Sequence, residues 1–404
     1  MSTVDWSSKG LWLPGEARTD EEFAAAGYPL FDGPFSWPVM VARRSAIEAN
    51  IATMADYCAR HDVDFAPHGK TTMAPSLFAA QLAAGAWAIT VATANQALAA
   101  RRFGVPRVLL ANELLDEKVV RWAAGEVAAG WDFLCYVDSL AGVEVLRAAL
   151  ADRDPRARLR VLVELGFAGA RTGCRTLAEA AAVAAAASTV DGVTVAGVAA
   201  FEGMLTSPEP VREFMAGLVE AARQLPPPAS GPLIVSAGGS AFFDTVVEVL
   251  GPPAREHGWR VVLRSGAVVS HDDDYYATRT PFRRVPQDGA LTAALEVWAQ
   301  VLSTPEPGLA ILGAGKRDVP FDLGLPVPVL ARSADGTLRS LAGSTVDTLN
   351  DQHAYLRLAA GATVVPGELV RLGISHPCTA FDKWRVIPVV DDEHRVVDLI
   401  RTYF

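Results

Sequence analysis

The sequence predicts an α/β protein that combines a (β/α)₈ barrel of the TIM type with a second, mostly antiparallel β domain. Three observations support this prediction. Eight short apolar runs alternate with Ala-rich helical segments between residues 63 and 263. After about residue 275 prolines become dense and helical patterns become rare. Half of the 404 residues are apolar, so the chain can bury a core large enough for two such units.

The apolar runs have the length and composition of parallel strands that are buried on both faces. They are Val63–Ala66, Ala88–Val91, Arg107–Leu110, Phe133–Val137, Leu159–Glu164, Val193–Ala200, Leu233–Val235 and Arg260–Leu263. Helical spacing between the runs is clearest in Asp116–Ala129, Ser139–Ala151, Thr176–Ser188 and Val211–Gln224. Strands that alternate with helices in this way predict a (β/α)₈ barrel. A doubly wound open sheet is the alternative, but no Gly-x-Gly-x-x-Gly follows an early strand.

The C-terminal part reads as short β-strands bounded by Pro and Gly. The strand-like runs are Leu295–Leu302, Leu309–Leu312, Val327–Leu330, Tyr355–Leu358, Glu368–Leu372 and Trp384–Val390. We therefore predict a barrel domain over residues 43–272 and a β domain over residues 273–404. A further strand-like run, Trp37–Ala42, precedes the barrel, and we expect residues 1–42 to pack with the β domain.

Charge and composition exclude several classes of partner. The formal net charge is −10 without a Lys/Arg run, which argues against binding to nucleic acid or to anionic membranes. The uncharged stretch Thr71–Ala100 is long enough to span a membrane, but polar residues interrupt it, so we interpret it as core. We expect a cytoplasmic protein without a secretory signal. Its four cysteines lack Cys-x-x-Cys spacing, as in a reducing compartment: Cys58, Cys135, Cys174 and Cys378.

Lys70 is the first candidate catalytic residue. It follows the first apolar run, which Pro67 ends, and it precedes a helical segment that begins near Pro75. Parallel α/β barrels place their chemistry at this end of the strands. Apolar surroundings and neighbouring cations lower the pKa of a lysine there and free a nucleophilic amine. The alternative is a solvated loop lysine.

Three further segments follow predicted strands at the same rim of the barrel. Gly238, Gly239 and Ser240 end the seventh strand, where backbone N–H groups can bind a phosphate. Arg171 lies in a Gly-rich loop after the fifth strand, and Arg264 follows the eighth strand. Each guanidinium could bind a carboxylate in a bidentate manner. Taken alone, the glycine segment could be an ordinary strand-to-helix turn, and each arginine could be an exposed surface residue.

His376 and Cys378 lie two residues apart on one extended segment of the β domain. Imidazole and thiolate at this spacing can hold one metal ion, and Zn²⁺ suits the pair. The remaining ligands would come from distant residues, water or substrate. A buried structural cysteine is the alternative.

Two other segments resemble functional motifs, and we discount both. Residues 313–316, Gly-Ala-Gly-Lys, lack the earlier glycine of a phosphate loop, and Arg317 stands where Ser or Thr would hold Mg²⁺. Residues 271–274, His-Asp-Asp-Asp, could bind a metal but are interpreted as an acidic loop at the domain junction.

These residues together resemble the fold-type III pyridoxal-phosphate enzymes, the alanine racemase-like barrels, and within them the D-serine dehydratase and D-threonine aldolase group. The segment 67–71, Pro-His-Gly-Lys-Thr, is similar to the motif that carries the Schiff-base lysine. The resemblance therefore implies that Lys70 and His68 bind pyridoxal 5'-phosphate. It also implies that Arg171 and Arg264 contact the cofactor, that Gly238–Ser240 hold its phosphate, and that His376 and Cys378 bind the metal.

Some positions depart from the family pattern. Leu165 replaces the acidic residue expected after Glu164, and Ala267 and Val268 replace the tyrosine expected after Gly266. Glu202 stands where relatives often have Tyr or His. Glu202 could therefore line the pocket and alter the substrate preference, or it could be a structural acid at a strand end.

The resemblance implies a lyase that eliminates water from a β-hydroxy D-amino acid such as D-serine or D-threonine. Lys70 would take the α-proton, and a divalent metal, Zn²⁺ with Mn²⁺ or Mg²⁺ as alternatives, would bind the β-hydroxyl. Retro-aldol cleavage to glycine and an aldehyde is the alternative, which Cys378 in place of Asp disfavours. A racemase and a non-enzymatic cofactor carrier are the remaining hypotheses. The resemblance also implies a homodimer.

Overall fold

The computed structural model describes residues 2–404, and its N-terminal residues lie against the second sheet rather than the barrel. Thr19 begins the first helix, because its hydroxyl accepts from the Glu22 N–H while the Glu22 side chain accepts from the Thr19 N–H. The elements of this part are β1 (Thr3–Val4), β2 (Arg18–Thr19), α1 (Asp20–Ala25) and β3 (Val39–Arg43). The next element, α2 (Arg44–His61), buries Met54, Tyr57 and Cys58 in the core of the barrel.

The predicted barrel is confirmed: eight parallel strands pair in consecutive order, with the first strand against the eighth. Between the first two strands, Phe65 O accepts from Trp87 N (2.7 Å) and Pro67 O accepts from Thr90 N (2.9 Å). The strands are β4 (Asp64–Phe65), β5 (Ile89–Val91), β6 (Arg107–Glu113), β7 (Asp132–Val137), β8 (Leu159–Leu165), β9 (Val193–Ala200), β10 (Ile234–Ser236) and β11 (Arg260–Leu263).

Seven helices cover the outside of the barrel and bury its outward-facing side chains. They are α3 (Pro75–Ala83), α4 (Ala94–Arg102), α5 (Glu117–Ala128), α6 (Leu140–Ala149), α7 (Leu177–Ser188), α8 (Pro208–Gln224) and α9 (Phe243–His257). Inward-facing side chains such as Leu109, Leu134 and Leu162 fill the interior, so the barrel has a packed core. The candidate site residues lie at the rim formed by the carboxyl ends of the strands, whereas ion pairs such as Arg260–Asp64 lie at the amino ends.

The second sheet is mostly antiparallel, as predicted, and β3 belongs to it. β3 pairs antiparallel with β12 (Leu295–Glu306) and parallel with β19 (Val386–Val390). The other strands are β13 (Leu309–Leu312), β14 (Val327–Arg332), β15 (Leu338–Ser340), β16 (Thr345–Leu349), β17 (Ala354–Arg357), β18 (Leu369–Gly373) and β20 (Val396–Arg401). β15, β16 and β20 were not predicted, because their polar residues and short length obscure the alternation.

Short 3₁₀ turns carry several of the candidate site residues. They are Gly69–Thr71, Ala267–Val269, Pro281–Arg283, Pro286–Asp288, Pro377–Thr379 and Phe381–Lys383. The uncharged stretch Thr71–Ala100 is divided into α3, β5 and α4, as expected for core. No helix within residues 2–404 has the length and apolar character that a membrane crossing requires. The four cysteines are free thiols.

Candidate active site at the barrel rim

Lys70 lies in the 3₁₀ turn that follows β4, at the carboxyl end of the barrel. Residue 69 must be glycine, because a Cβ there would lie 2.6 Å from Cζ of Phe78. Burial lowers the pKa of the Lys70 amine, Cys378 opposes this, and the nearby Arg171 and Arg264 lower it further. Within residues 2–404 the amine has no hydrogen-bond or ion-pair partner. The geometry thus provides a half-buried amine with an increased neutral fraction.

His68 is half-buried beside Lys70, and its ring is neutral. Burial lowers its pKa well below the usual value, and Lys70, Arg264 and Arg171 lower it further. Its Nδ1 is buried without a hydrogen-bond partner in the described chain. Buried polar atoms are nearly always paired in native proteins, so this nitrogen indicates that a further group belongs at the site.

Two arginines border the same space but are held differently. Arg264 is 7% exposed and donates to Ser236 Oγ (2.7 Å) and to the carbonyl oxygen of Ala200 (2.6 Å), which fixes its guanidinium. The guanidinium carbon of Arg171 lies 4.1 Å from the centre of the Phe201 ring, so the arginine stacks on an aromatic face. Both arginines lie in loops at the carboxyl ends of strands, as the sequence predicted.

Arg175 organises the loop that carries Arg171, and the sequence analysis missed it. Its guanidinium donates to four backbone carbonyls of the loop, those of Ala170, Arg171, Thr172 and Gly173. The sequence does contain a signal for this role, namely a second arginine four residues after Arg171. One guanidinium carries enough donors to hold a loop of this length.

The turn after β10 does not present free N–H groups at both glycines. Glu202, fully buried, accepts from the N–H groups of Gly239 (2.5 Å) and Gly238 (3.2 Å). Ser240 Oγ accepts from the Ala267 N–H at 3.2 Å. Glu202 therefore lies at the turn that the sequence predicts to bind phosphate, and it has a structural role because it satisfies two backbone donors. A phosphate would have to share or take over these donors.

We predict that Glu202→Ala destabilises the cofactor-free protein by about 2 kcal/mol, because two partly or fully buried N–H groups lose their acceptor. If a phosphate uses the same donors, pyridoxal 5'-phosphate should restore more stability to the variant than to the wild type. Pyridoxal, which lacks the phosphate, should not. Thermal unfolding with each compound measures this. Equal shifts for the variant and the wild type would show that the phosphate binds elsewhere.

The structure brings His376 and Cys378 to the Lys70 turn, although 307 residues separate Thr71 from Cys378. Thr71 Oγ1 lies 3.3 Å from Cys378 Sγ. Burial lowers the pKa of His376, but Cys378 and Asp322 outweigh burial and raise it to about 9. An imidazole beside a thiol and a carboxylate lies in surroundings that favour a bound metal cation. The two residues form a pair and not a set of three, so other ligands would complete a metal site.

Asp322 is a positioning residue that the sequence analysis missed. Its carboxylate contacts His376 Nδ1 at 2.8 Å and accepts from Thr379 Oγ1 at 2.7 Å. Metal-binding histidines commonly donate their second ring nitrogen to a carboxylate, which fixes the tautomer and leaves the other nitrogen for the metal. Asp322 lies in an irregular segment, and no local pattern distinguishes it from other exposed acids.

We predict that Asp322→Asn lowers metal affinity about 10–100-fold, because a neutral amide oxygen replaces the charged carboxylate that orients the ring. Cofactor binding should be unchanged, since Asp322 makes no contact with the Lys70 turn. Metal titration followed by calorimetry measures the affinity, and the exposed Asp351→Asn is the control. An unaltered metal affinity in Asp322→Asn would exclude the positioning role.

The two discounted motifs serve structural roles. Asp272 accepts from the N–H groups of Asp274, Tyr276 and Ala277, so its carboxylate caps the loop at the domain junction. That loop places Tyr276 against the His376 ring, with ring centres 6.0 Å apart. In residues 313–316, the Gly315 N–H donates to Asp318 within a turn.

The residues present fit pyridoxal 5'-phosphate. An unpaired amine on Lys70, a fixed guanidinium on Arg264 and an unpaired imidazole nitrogen on His68 are close neighbours at the rim. Gly266 allows close approach there, because a Cβ would lie 2.6 Å from Thr71 Oγ1. The donor set matches a ligand that carries an aldehyde, a ring and an anionic group.

Comparison with known proteins agrees with this geometry. The family model described as "Alanine racemase, N-terminal domain" matches residues 43–245, half of the chain. The chain belongs to this family. A second model, "Putative serine dehydratase domain", matches residues 294–390 of the β domain. The resemblance to the fold-type III pyridoxal-phosphate enzymes is therefore confirmed.

Among relatives of this family, D-threonine aldolase of Arthrobacter sp. is 28% identical over 397 residues, which cover 95% of this chain and 94% of the aldolase. The crystal structure of D-threonine aldolase from Filomicrobium marinum has a TM-score of 0.76 at 24% identity and covers 93% of this chain and 97% of that one. D-threo-3-hydroxyaspartate dehydratase from Delftia sp. HT23 has a TM-score of 0.70 at 22% identity, covering 91% and 97%. The two structures establish similarity of fold.

Proposed function

We propose that the protein is a pyridoxal 5'-phosphate- and metal-dependent lyase that eliminates water from a β-hydroxy D-amino acid of the D-serine or D-threonine type. The products would be a 2-oxo acid and ammonia. The observation that carries this proposal is the 3.3 Å approach of Cys378 Sγ to Thr71 Oγ1, next to Lys70. A base and a metal-binding pair then face one space, as the loss of an α-proton and a β-hydroxyl from adjacent carbons requires.

Residues of the barrel would hold the cofactor. Lys70 would bind it covalently, Arg264 and Arg171 would contact its ring side, and Ser240 with the glycine turn would hold the phosphate. When bound, the cofactor stabilises negative charge at the substrate's Cα. Because burial lowers the pKa of the Lys70 amine, Lys70 can accept the α-proton near neutral pH.

Residues of the β domain would hold the metal. His376 and Cys378 supply nitrogen and sulfur, which favour Zn²⁺ over Mg²⁺ or Mn²⁺. The metal would supply Lewis acidity for the β-hydroxyl, as divalent ions do for other oxygen leaving groups. Asp322 would keep His376 in the orientation that this requires.

Retro-aldol cleavage is the second candidate reaction, and the similarity to D-threonine aldolase over 95% of the chain favours it. In that reaction the β-hydroxyl loses its proton and the Cα–Cβ bond breaks, giving glycine and an aldehyde. The same base and metal pair could serve both reactions, so the geometry of the described residues does not separate them. A racemase would need a second base opposite Lys70 and no metal.

Product analysis separates these reactions. We would incubate the purified protein with D-serine, D-threonine and their L forms, and assay ammonia, 2-oxo acid, glycine and enantiomers. A lyase of the proposed type should release ammonia and 2-oxo acid from the D forms alone. Glycine with an aldehyde would assign the aldolase reaction, and enantiomers without cleavage would assign a racemase.

We further propose a cytoplasmic homodimer with a barrel domain over residues 43–272 and a β domain over residues 273–404. The free cysteines support a reducing compartment. The pairing of β3 with β12 supports packing of the N-terminal residues on the β domain. Sedimentation at micromolar concentration tests the dimer, and a compact monomer would contradict it.

A further inference from the structure

Three carboxylates meet at the rim of the barrel, at the carboxyl ends of β6, β7 and β8. Glu113 ends β6, Asp138 follows β7, and Glu164 lies near the end of β8. One carboxylate oxygen from each residue lies within 4.8 Å of the other two. The strands are consecutive neighbours in the sheet, so their carboxyl ends bring these acids together. Negative charges this close repel one another unless a cation or shared protons intervene.

A neighbouring tyrosine, Tyr136, gives a second and independent indication of a ligand, because its hydroxyl lacks a hydrogen-bond partner among the described residues. Tyr136 is the register partner of Glu113 across β6 and β7, and it is 2% exposed. Its hydroxyl is buried and has no hydrogen-bond partner in residues 2–404. Burial raises the pKa of this hydroxyl; Arg264 and Arg171 lower it, while the nearby Glu164 and Glu113 raise it, and the net effect is a raised pKa. The hydroxyl therefore stays protonated and offers a neutral oxygen to a ligand.

Two of the three carboxylates also carry a buried oxygen without a hydrogen-bond partner in the described part of the chain. Glu113 Oε1 and Glu164 Oε2 are buried without a hydrogen bond, and Glu164 is 4% exposed. Asp138 Oδ2 accepts only from the Gly173 N–H, at 3.0 Å. Together with the Tyr136 hydroxyl, three buried oxygens of this group are unpaired within residues 2–404, whereas buried polar atoms of native proteins are nearly always paired.

No positive side chain neutralises these acids in the described part of the chain, residues 2–404. None of the three forms a salt bridge. Arg264, the nearest fixed guanidinium to Tyr136, donates instead to Ser236 Oγ and to the Ala200 carbonyl. Burial and the neighbouring Glu164 raise the pKa of Glu113 to about 8, which shows how poorly the surroundings compensate its charge.

We propose that Glu113, Asp138, Glu164 and the hydroxyl of Tyr136 form a site for a hard divalent cation, separate from the His376–Cys378 pair. All four ligand atoms are oxygens, which suit Ca²⁺, Mn²⁺ or Mg²⁺, whereas the nitrogen and sulfur pair suits Zn²⁺. Oxygens on opposite sides of one ion lie about 4–5 Å apart for these metals, which matches the separation of the carboxylates. The cation would tie β6, β7 and β8 together at the rim. This site does not depend on the reaction proposed above.

The test measures Mn²⁺ binding by the loss of the free-ion electron paramagnetic resonance signal. The holoenzyme carrying Cys378→Ala serves as background, because that change removes the other metal pair. It should bind one Mn²⁺ per chain. Adding Glu164→Gln, which keeps the shape but removes the charge, should weaken binding at least about 100-fold, by analogy with the loss of a single supporting group at a metal site. Adding the exposed Glu209→Gln instead should leave binding unchanged.

Thermal unfolding with Ca²⁺ guards against loss of fold in the double variant. Ca²⁺ should raise the melting temperature of the Cys378→Ala protein but not of the folded Cys378→Ala/Glu164→Gln protein. If the folded Cys378→Ala protein binds neither Mn²⁺ nor Ca²⁺ at millimolar concentration, the carboxylates share protons and the proposal is wrong. Unchanged binding after Glu164→Gln would likewise overturn it.

Discussion

Replacing Lys70 with alanine should abolish turnover, by about 10³-fold or more, together with the visible absorption band of the lysine-bound cofactor. The reason is that Lys70 combines two roles, the covalent attachment and the base. Its amine is half-buried, and burial lowers its pKa, so the alanine variant loses both roles at once. Absorption spectra and product assays on the same preparation measure the two effects.

Two further variants sharpen this experiment. Lys70→Arg keeps the positive charge, but a guanidinium does not form the covalent bond, so the band should still be lost. Lys118→Ala removes a lysine that is 82% exposed and should keep both the band and the activity. A Lys70→Ala protein that retains the band without added amine would show that a different lysine carries the cofactor.

Replacing Cys378 with alanine, or removing the metal with EDTA, should give a protein that keeps the absorption band but has lost lyase activity. The Lys70 turn belongs to the barrel, whereas Cys378 belongs to the β domain, so the cofactor site should survive. We expect the loss of one of two protein ligands to weaken metal binding by more than about 100-fold. Metal content by mass spectrometry, absorption and product formation test the three parts of this prediction.

Rescue distinguishes metal loss from damage to the site. Zn²⁺ should restore activity to the EDTA-treated wild type and not to Cys378→Ala. Cys58→Ala is the matched control, since Cys58 is also a free cysteine but lies on the buried face of α2, in the barrel core. It should keep metal and activity. Full turnover by metal-free wild type would refute the elimination mechanism and favour a metal-independent racemase.

Local patterns made much of this site predictable. Lys70, Arg171 and Arg264 each follow a buried apolar run, and in a parallel barrel the carboxyl ends of all strands share one rim. A one-dimensional pattern therefore places them in one region. The spacing of His376 and Cys378 alone left a structural cysteine as the alternative, and the family resemblance led to the prediction of a metal pair.

Contacts between distant segments were not predictable in the same way. Asp322 lies 54 residues from His376, and Glu202 lies 36 and 37 residues from the glycines it contacts. The sequence left open whether Glu202 lines a substrate pocket or is a structural acid at the end of a strand. Only the path of the loops after β9 and β10 brings its carboxylate to those two N–H groups.

The sequence by itself determined the barrel and the β domain and singled out Lys70 and the His376–Cys378 pair as candidates, because hydrophobic periodicity, Pro and Gly positions and short motifs are local properties of a chain. The tertiary structure decided that Cys378 meets Thr71, that Glu202 reaches the Gly238–Gly239 turn, and that Glu113, Asp138 and Glu164 converge. Each of these is a contact between segments that are distant in sequence. Its geometry depends on how strands pair and where loops return, which no local pattern encodes.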